Sequence, residues 1–288
     1  MTRLTLCSDD FGLSRSVDEA IIDLVRNGRL NAVSCMVVGD DFARKASDLR
    51  AAVAGAPVKV EIGLHLTLTE YAPLAAMPAL APDGRFPSVG ALLLKSHLGG
   101  VNAPEINAEI GRQWQRFGDV MGHAPDFIDG HQHAHLMPGV RACVIERARD
   151  GLPAHGWVRS CFADHPELRM TALSSWRLRI ISGLAKKMQR LLRTAGIATN
   201  PHFYGINDFN RGENFAGLMQ GWLRLAASRG DWSVIMCHPG LAPSGAQIDP
   251  ANRTHPIHDP IAARRADEYA YFAGPDFPKD LERFGLTL

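Results

Sequence analysis

The sequence predicts an α/β fold: a parallel sheet or barrel with helices outside it, forming one domain over residues 1–288. Three observations carry this. Short apolar, β-rich runs alternate with amphipathic helical stretches. Polar residues able to do chemistry recur just past the strands. No composition break, linker or internal repeat divides the chain.

The elements follow in order. Arg3 to Cys7 reads as a strand running into Ser8-Asp9-Asp10. Ser16-Val17-Asp18-Glu19 has the capping-box pattern, and Val17, Ala20, Ile21, Leu24 and Val25 follow at helical spacing with Gly28 as the stop. Ala32 to Val38 is a second apolar run, Asp40 and Asp41 open a helix over Phe42 to Val53, and Val58 to Leu64 is a third strand ending at His65. A helix from Pro104 to near Val120 leads into strand Asp126-Phe127-Ile128, which ends at Asp129-Gly130-His131. Val140 to Arg149 precedes strand Trp157-Val158-Arg159, and a helix from Phe215 to Ala227 precedes strand Ser233 to Cys237, which ends at His238.

Composition excludes several classes. Thirty-one Lys and Arg against thirty Asp and Glu leave a net charge of +1, which argues against a nucleic-acid binder. No run of about 18 apolar residues offers a membrane-spanning helix, and Met1 to Leu6 is too short and polar for a signal peptide. Five cysteines without CxxC spacing read as reduced thiols, and the expected location is cytoplasmic, with room for peripheral contact at the inner membrane.

Acidic and imidazole side chains at separate strand ends are the main chemical clue. Asp9-Asp10-Phe11-Gly12 would serve as a simple strand-to-helix turn. Neighbouring residues at a strand end also point in different directions, so one carboxylate can bind a metal while the other faces an attacking water. His65 alone reads first as a hydrogen-bonded core residue. His131, His133 and His135 would share a face in an extended chain and suggest Zn2+ or another transition metal, whereas a loop would leave one as ligand and the others on substrate or behind the ligands. Asp129 is placed to orient an imidazole. In Cys237-His238-Pro239-Gly240, Pro and Gly suit a turn, and His238 suits proton transfer near neutral pH. One carboxylate and two imidazoles form a facial metal site, leaving Asp9 as base and His238 as acid. His202, Tyr204 and Asp208 are candidates for the substrate cleft from loop position alone.

These residues, in this order, resemble the YdjC-like carbohydrate deacetylase family. SDDFGLS at 8–14, GLHLTLT at 63–69, DGHQHAHLMP at 129–138 and MCHPG at 236–240 carry the resemblance, with the closing pattern from Arg265 to Glu268. It implies a distorted, TIM-like (β/α) barrel and one divalent ion, Mg2+ or Zn2+, on Asp10, His65 and His131. It also implies hydrolysis of the N-acetyl group of an N-acetylated amino sugar. The stretch from Arg169 to Asn210 looks more like hopanoid-associated members, which shifts the expected substrate from a soluble chito-oligosaccharide toward a lipid-linked amino sugar.

Between Arg169 and Arg193 stand seven basic residues and no acidic one, so the near-zero charge is a cancellation; 24 basic and 30 acidic residues remain elsewhere. Projected as a helix, Trp176, Ile180, Ile181, Leu184, Met188, Leu191 and Leu192 share one face, with Arg179, Lys186, Lys187, Arg190 and Arg193 beside it. This is either the solvated outer face of a barrel helix or an interfacial helix on anionic lipid through 174–193. A homodimer is also left open. Two rival functions remain: another metal-dependent hydrolase of amidohydrolase or phosphoesterase type, and a non-catalytic sugar- or lipid-binding protein. The first usually carries H-x-H on its first strand, where this chain has Asp9-Asp10; the second needs no paired base and acid.

Overall fold

Strand β1, Arg3–Phe11, runs four residues past the expected Cys7 and carries Asp9 and Asp10 within it. The computed structural model describes residues 2–163, 172–207, 209, 214–242 and 259–288. After β1 come α1 (Arg15–Arg26), β2 (Ala32–Cys35), α2 (Asp40–Ala54), β3 (Glu61–Leu66), α3 (Val89–His97), α4 (Ala103–Met121) and β4 (Phe127–Gly130). A 3-10 segment (His131–Leu136) follows, then α5 (Val140–Gly151), β5 (Trp157–Val158), α6 (Ala172–Thr194), β6 (His202–Tyr204), α7 (Phe215–Arg229), β7 (Trp232–Cys237), α8 (Ala262–Ala273) and α9 (Asp276–Arg283). Neither α3 nor β6 is expected from the sequence: α3 is a nine-residue helix whose apolar residues are grouped at its start and middle rather than spaced along one face, and β6 has only three residues.

The seven strands form one parallel sheet in the order β5-β4-β3-β2-β1-β7-β6. Helices cover it, so both faces of the strands are buried, polar residues such as Thr5, Ser8 and Ser34 included. The sheet curls until its ends meet. Trp157 bridges to Ala198 just before β6, the Val158 N–H donates to the Ala198 carbonyl at 3.0 Å, and Asn200 accepts from the Ser160 N–H at 2.8 Å while donating to its carbonyl at 2.9 Å. The Trp157 ring stacks on Phe127 of the adjacent β4, centroids 4.5 Å apart, and meets Trp232 edge-on at 5.1 Å, which fills the interior between β5 and β7, strands that are not neighbours in the sheet. This is the distorted barrel expected, with seven strands and a narrow seam. Gly63 is required here because any Cβ would enter the Phe127 ring.

Two local expectations differ. Helix α1 is capped by Ser14, two residues before the expected Ser16, and no side-chain cap forms. Ser14 and Ser16 instead pair through their hydroxyls at 3.2 Å, and Glu19 reaches the exposed Arg15 rather than back to a cap. In α6, Ala185, Met188 and Leu192 are buried in the core, and Ile181 and Leu184 pack against it. The expected apolar face is thus largely consumed by the barrel. Trp176, grouped with it from the sequence, is 61% exposed and lies at the opposite side of the helix. Arg169 and the side chain of Arg177 lie outside the described residues.

All five cysteines are buried and unbridged. Among the described residues, no helix is long and apolar enough to cross a membrane.

Candidate active site

The strand carboxyl ends bring acidic and imidazole side chains together, and a bulge in β1 sets the centre of the cluster. Pairing of β1 with β2 jumps from Ser8↔Val33 to Phe11↔Cys35, which gives β1 one extra residue across Asp9 and Asp10. Asp10 takes φ 69, a left-handed conformation that a non-glycine residue adopts at a cost. Such bulges re-aim side chains beside active sites. Here two consecutive aspartates both enter the cleft and serve different partners. Gly12 takes φ +94 at the turn that follows, where a Cβ would strike the Met36 carbonyl.

Asp10 Oδ1 lies 3.3 Å from His65 Nε2 and 3.1 Å from His131 Nδ1, and its Oδ2 accepts from Arg265 Nη2 at 2.7 Å. One donor atom each from Asp10, His65 and His131 falls within a 4.8 Å cluster. His65 Nδ1 lies 2.7 Å from Asp129 Oδ1, which also accepts from Ser34 Oγ at 2.5 Å. Asp129 thereby orients His65 with Nε2 toward Asp10, the arrangement that carboxylates impose on metal-binding histidines.

The electrostatics suit a cation. Burial works against a charged His65, yet Asp129, Asp9 and Asp10 outweigh it and push the imidazole up to about 10. Burial likewise opposes ionisation of Asp10, but Arg265, His131 and His65 hold it well below the usual carboxylate range. One oxygen and two nitrogens, with His65 orientated from behind by Asp129, fit a divalent ion; the set suits Zn2+, Mn2+, Fe2+ or Co2+ better than Mg2+, which prefers oxygen.

Asp9 faces the other way. Arg159 Nη1 and Nη2 donate to its two oxygens at 2.7 and 2.6 Å, and Nη2 also lies 2.6 Å from Asp129 Oδ2. Asp9, Asp129 and Arg159 are all at most 2% exposed, so these are buried, charge-assisted contacts. His238 follows β7, half-buried; its backbone N–H donates to Glu268 Oε2 at 2.5 Å, and Phe209 meets its ring edge-on at 5.3 Å. Burial pushes His238 down to about 4 and Glu268 up to about 7. Gly240 lets this turn dock on α8: its N–H donates to the Arg265 carbonyl at 3.0 Å, and a Cβ would sit 3.0 Å from Arg265 Cβ.

The three histidines do not share a face. Gln132 and His133 take φ 50 and 60 inside the 3-10 segment, so the loop alternative holds. His131 turns to Asp10, His133 to Cys161 and His135 inward, where its Nε2 meets the Arg159 carbonyl at 3.1 Å. Burial pushes both His133 and His135 down to about 3, so both are neutral.

Two cleft candidates are not brought to this site. His202 pairs with Ser233 near the start of β7, and its Nε2 meets Asp231 at 3.0 Å, at the end of the barrel away from the carboxyl ends. Tyr204 is wholly buried in the hydrophobic core. Loop position misled because these residues belong to the short β6. Asp208 lies outside the described residues.

Sequence reasoning missed Arg159, Arg265, Ser34 and Glu268. Arg159 carried the same signal as the others, a polar residue just past a strand. Arg265 and Glu268 reach the site from a helix about 255 residues along from Asp10; the sequence marked them as part of the family pattern but gave them no role in the site.

Comparison with known proteins agrees with this geometry. The chain is 32% identical over 147 residues to a chitooligosaccharide deacetylase of Klebsiella pneumoniae (strain 342), covering 51% of this chain and 56% of that one. The chain thus spans little more than half the length of that relative. It is 32% identical over 256 residues to a carbohydrate deacetylase of Mus musculus, covering 83% of this chain and 78% of that protein. A crystal structure of a putative cellobiose-phosphate cleavage protein from Enterococcus faecalis V583 superposes with a TM-score of 0.73 at 19% identity, covering 100% of this chain and 96% of the other, and so shares the fold. Residues 3–283 match the family model described as YdjC-like protein, and the chain belongs to that family.

Proposed function

We propose that the chain is a metal-dependent hydrolase that removes the N-acetyl group from an N-acetylated amino sugar. The observation that carries this reading is the side-by-side placement of the Asp10, His65 and His131 donors with Asp9 clamped by Arg159. Deacetylase relatives support the substrate class. A divalent ion, Zn2+ or Mg2+, held by Asp10, His65 and His131 would polarise the amide carbonyl and acidify the attacking water.

The chain's own residues do the rest. Asp9, fixed by Arg159, takes a proton from the water as it adds to the carbonyl. His238 protonates the amine as the C–N bond breaks, releasing acetate and the free amino sugar. Because burial keeps His238 neutral at rest, the proton it delivers is gained during turnover.

The experiment is acetate release from an N-acetylchito-oligosaccharide, with and without a chelator. Asp9→Asn should keep the ion, by elemental analysis, and lose most turnover; full activity would sink the assignment. Hydrolysis of phosphoesters without acetate release would favour the rival hydrolase reading, and sugar binding without turnover the binding-protein reading.

The finer substrate reading is a lipid-linked amino sugar met at a membrane surface. It is supported by the outward side of α6, where exposed Trp176 shares the solvent side with Arg179, Lys186, Lys187, Arg190 and Arg193, all exposed. Co-sedimentation with phosphatidylglycerol vesicles, absent with phosphatidylcholine and weakened by salt, is the expected result. Equal behaviour on both vesicles would end it.

A further inference from the structure

Asp10 divides its two oxygens between different partners. Oδ1 faces both imidazoles of the cluster, 3.3 Å from His65 Nε2 and 3.1 Å from His131 Nδ1, while Oδ2 accepts from Arg265 Nη2 at 2.7 Å. Arg265 is only 4% exposed, so water and salt screen its charge little. Its Nε donates to Asp259 Oδ2 at 2.6 Å, which fixes the guanidinium between two carboxylates. The main chain of α8 is tied down beside it. The Arg265 carbonyl accepts from the Gly240 N–H at 3.0 Å, and Glu268, on the next turn of the helix, accepts from the His238 N–H at 2.5 Å. The guanidinium is thus held in place from both ends.

A buried arginine beside a cation-binding carboxylate repels the ion that the carboxylate attracts, so its presence calls for a reason. A free carboxylate can offer an ion both of its oxygens. Each further anionic oxygen that binds leaves the ion less charge with which to polarise a carbonyl or acidify water. Here Nη2 already occupies Oδ2. We propose that Arg265 is a positioning residue that holds Asp10 to a single ion-binding oxygen, Oδ1, giving up ion affinity and preserving the ion's Lewis acidity. The catalytic consequence rests on the deacetylase reading; the single-oxygen mode does not.

Crystal structures of the Zn2+-loaded chain read the mode without any turnover. In the wild type one Asp10 oxygen should lie within about 2.2 Å of Zn2+ with the other on Arg265; in Arg265→Met both should approach the ion. By calorimetric titration, Arg265→Met should bind Zn2+ about tenfold more tightly, because a buried positive charge beside the ion is gone. A residue that merely packed the site would loosen ion binding when removed. Its kcat for acetate release should fall about tenfold, with the acid limb of the pH profile moved to higher pH as the attacking water becomes less acidic. Arg265→Lys keeps a cation at Oδ2 and should restore the single-oxygen mode, with Zn2+ affinity within about threefold of wild type. Both Asp10 oxygens on Zn2+ in the wild type would overturn the proposal. So would Arg265→Met with weaker or unaltered affinity, or with Asp10 still on one oxygen. Should Arg265→Met not fold, the wild-type structure and Arg265→Gln decide, the latter again expected to bind Zn2+ more tightly. No Zn2+ at Asp10 would overturn the proposal together with the ion-dependent reading. Single-oxygen binding without acetate release would defeat the deacetylase reading and leave the role of Arg265 standing.

Discussion

Arg159 holds Asp9 through both ends of its guanidinium, at 2.7 and 2.6 Å, and the nitrogen that makes the shorter bond also lies 2.6 Å from Asp129. One buried cation therefore links the proposed base to the carboxylate that orients His65. A planar fork can do this; a lysine ammonium, a point charge on a flexible stem, cannot hold both oxygens of Asp9.

Arg159→Lys is accordingly expected to keep the charge and lose the alignment. Acetate release should fall roughly 10²-fold in kcat, the scale of about a 1 Å misplacement of a reacting group. Arg159→Met should be worse for the fold, since it leaves two carboxylates buried without their partner, at a cost of about 3–5 kcal/mol in thermal unfolding. Lysine activity within twofold of wild type would show that the fork is dispensable.

Asp129 acts through His65, so its removal should appear in ion binding. Asp129→Asn retains the size but loses the charge that fixes the ring at 2.7 Å. Affinity for Zn2+, followed by calorimetric titration, should drop about 10- to 100-fold. Saturating ion should restore much of the activity. An unchanged affinity would mean that Ser34 and the surrounding packing suffice to orient His65.

Much of this site was readable because the fold makes one rule general: in parallel sheets, chemistry collects past the strand ends. Asp10 and His65 stand in the last two residues of β1 and β3, and His131, Arg159 and His238 directly follow β4, β5 and β7. Arg159 escaped notice because the sequence reads as a strand Trp157-Val158-Arg159 with this arginine as its last residue, whereas β5 ends at Val158. What local pattern cannot express is backbone strain. The bulge at Asp9 and Asp10 and the left-handed turns at Gln132 and His133 separate side chains that alternation would have placed together. Likewise, helical projection identified an apolar face on α6 without choosing between a barrel helix and a lipid-facing one; Ala185, Met188 and Leu192 are buried in the core, as a barrel helix requires.

His202 provides a control set by topology. It sits beside Asp231 near the start of β7, away from the cleft. His202→Ala should leave kcat and KM within about twofold of wild type and affect only stability, by less than about 1 kcal/mol for a partly exposed polar contact. A large rise in KM would require the substrate to reach around the barrel.

Asp18 makes stability depend on pH in a direction opposite to the site's carboxylates. It is wholly buried in α1, where Oδ1 accepts from the Gly12 N–H at 2.6 Å beneath the Asp9-Asp10 bulge. Burial pushes it from the ordinary 3.8 up to about 8, and Asp41 and Glu19 add to the effect. A carboxyl raised on folding favours the folded state when protonated. Its contribution is complete below pH 4, declines as pH rises, and is lost above about 8. Between those limits the slope is about 1.4 kcal/mol per pH unit for one proton. Asp10 and Asp129 are lowered on folding and pull the other way, so the effect must be read as a difference between variants. Asp18→Asn keeps the acceptor for Gly12 and removes the titration. It should unfold at a higher temperature than wild type at pH 7, by on the order of 2–4 kcal/mol, with the gap closing toward pH 4. A gap that stays constant from pH 4 to 8 would show that Asp18 does not hold a proton in the folded chain.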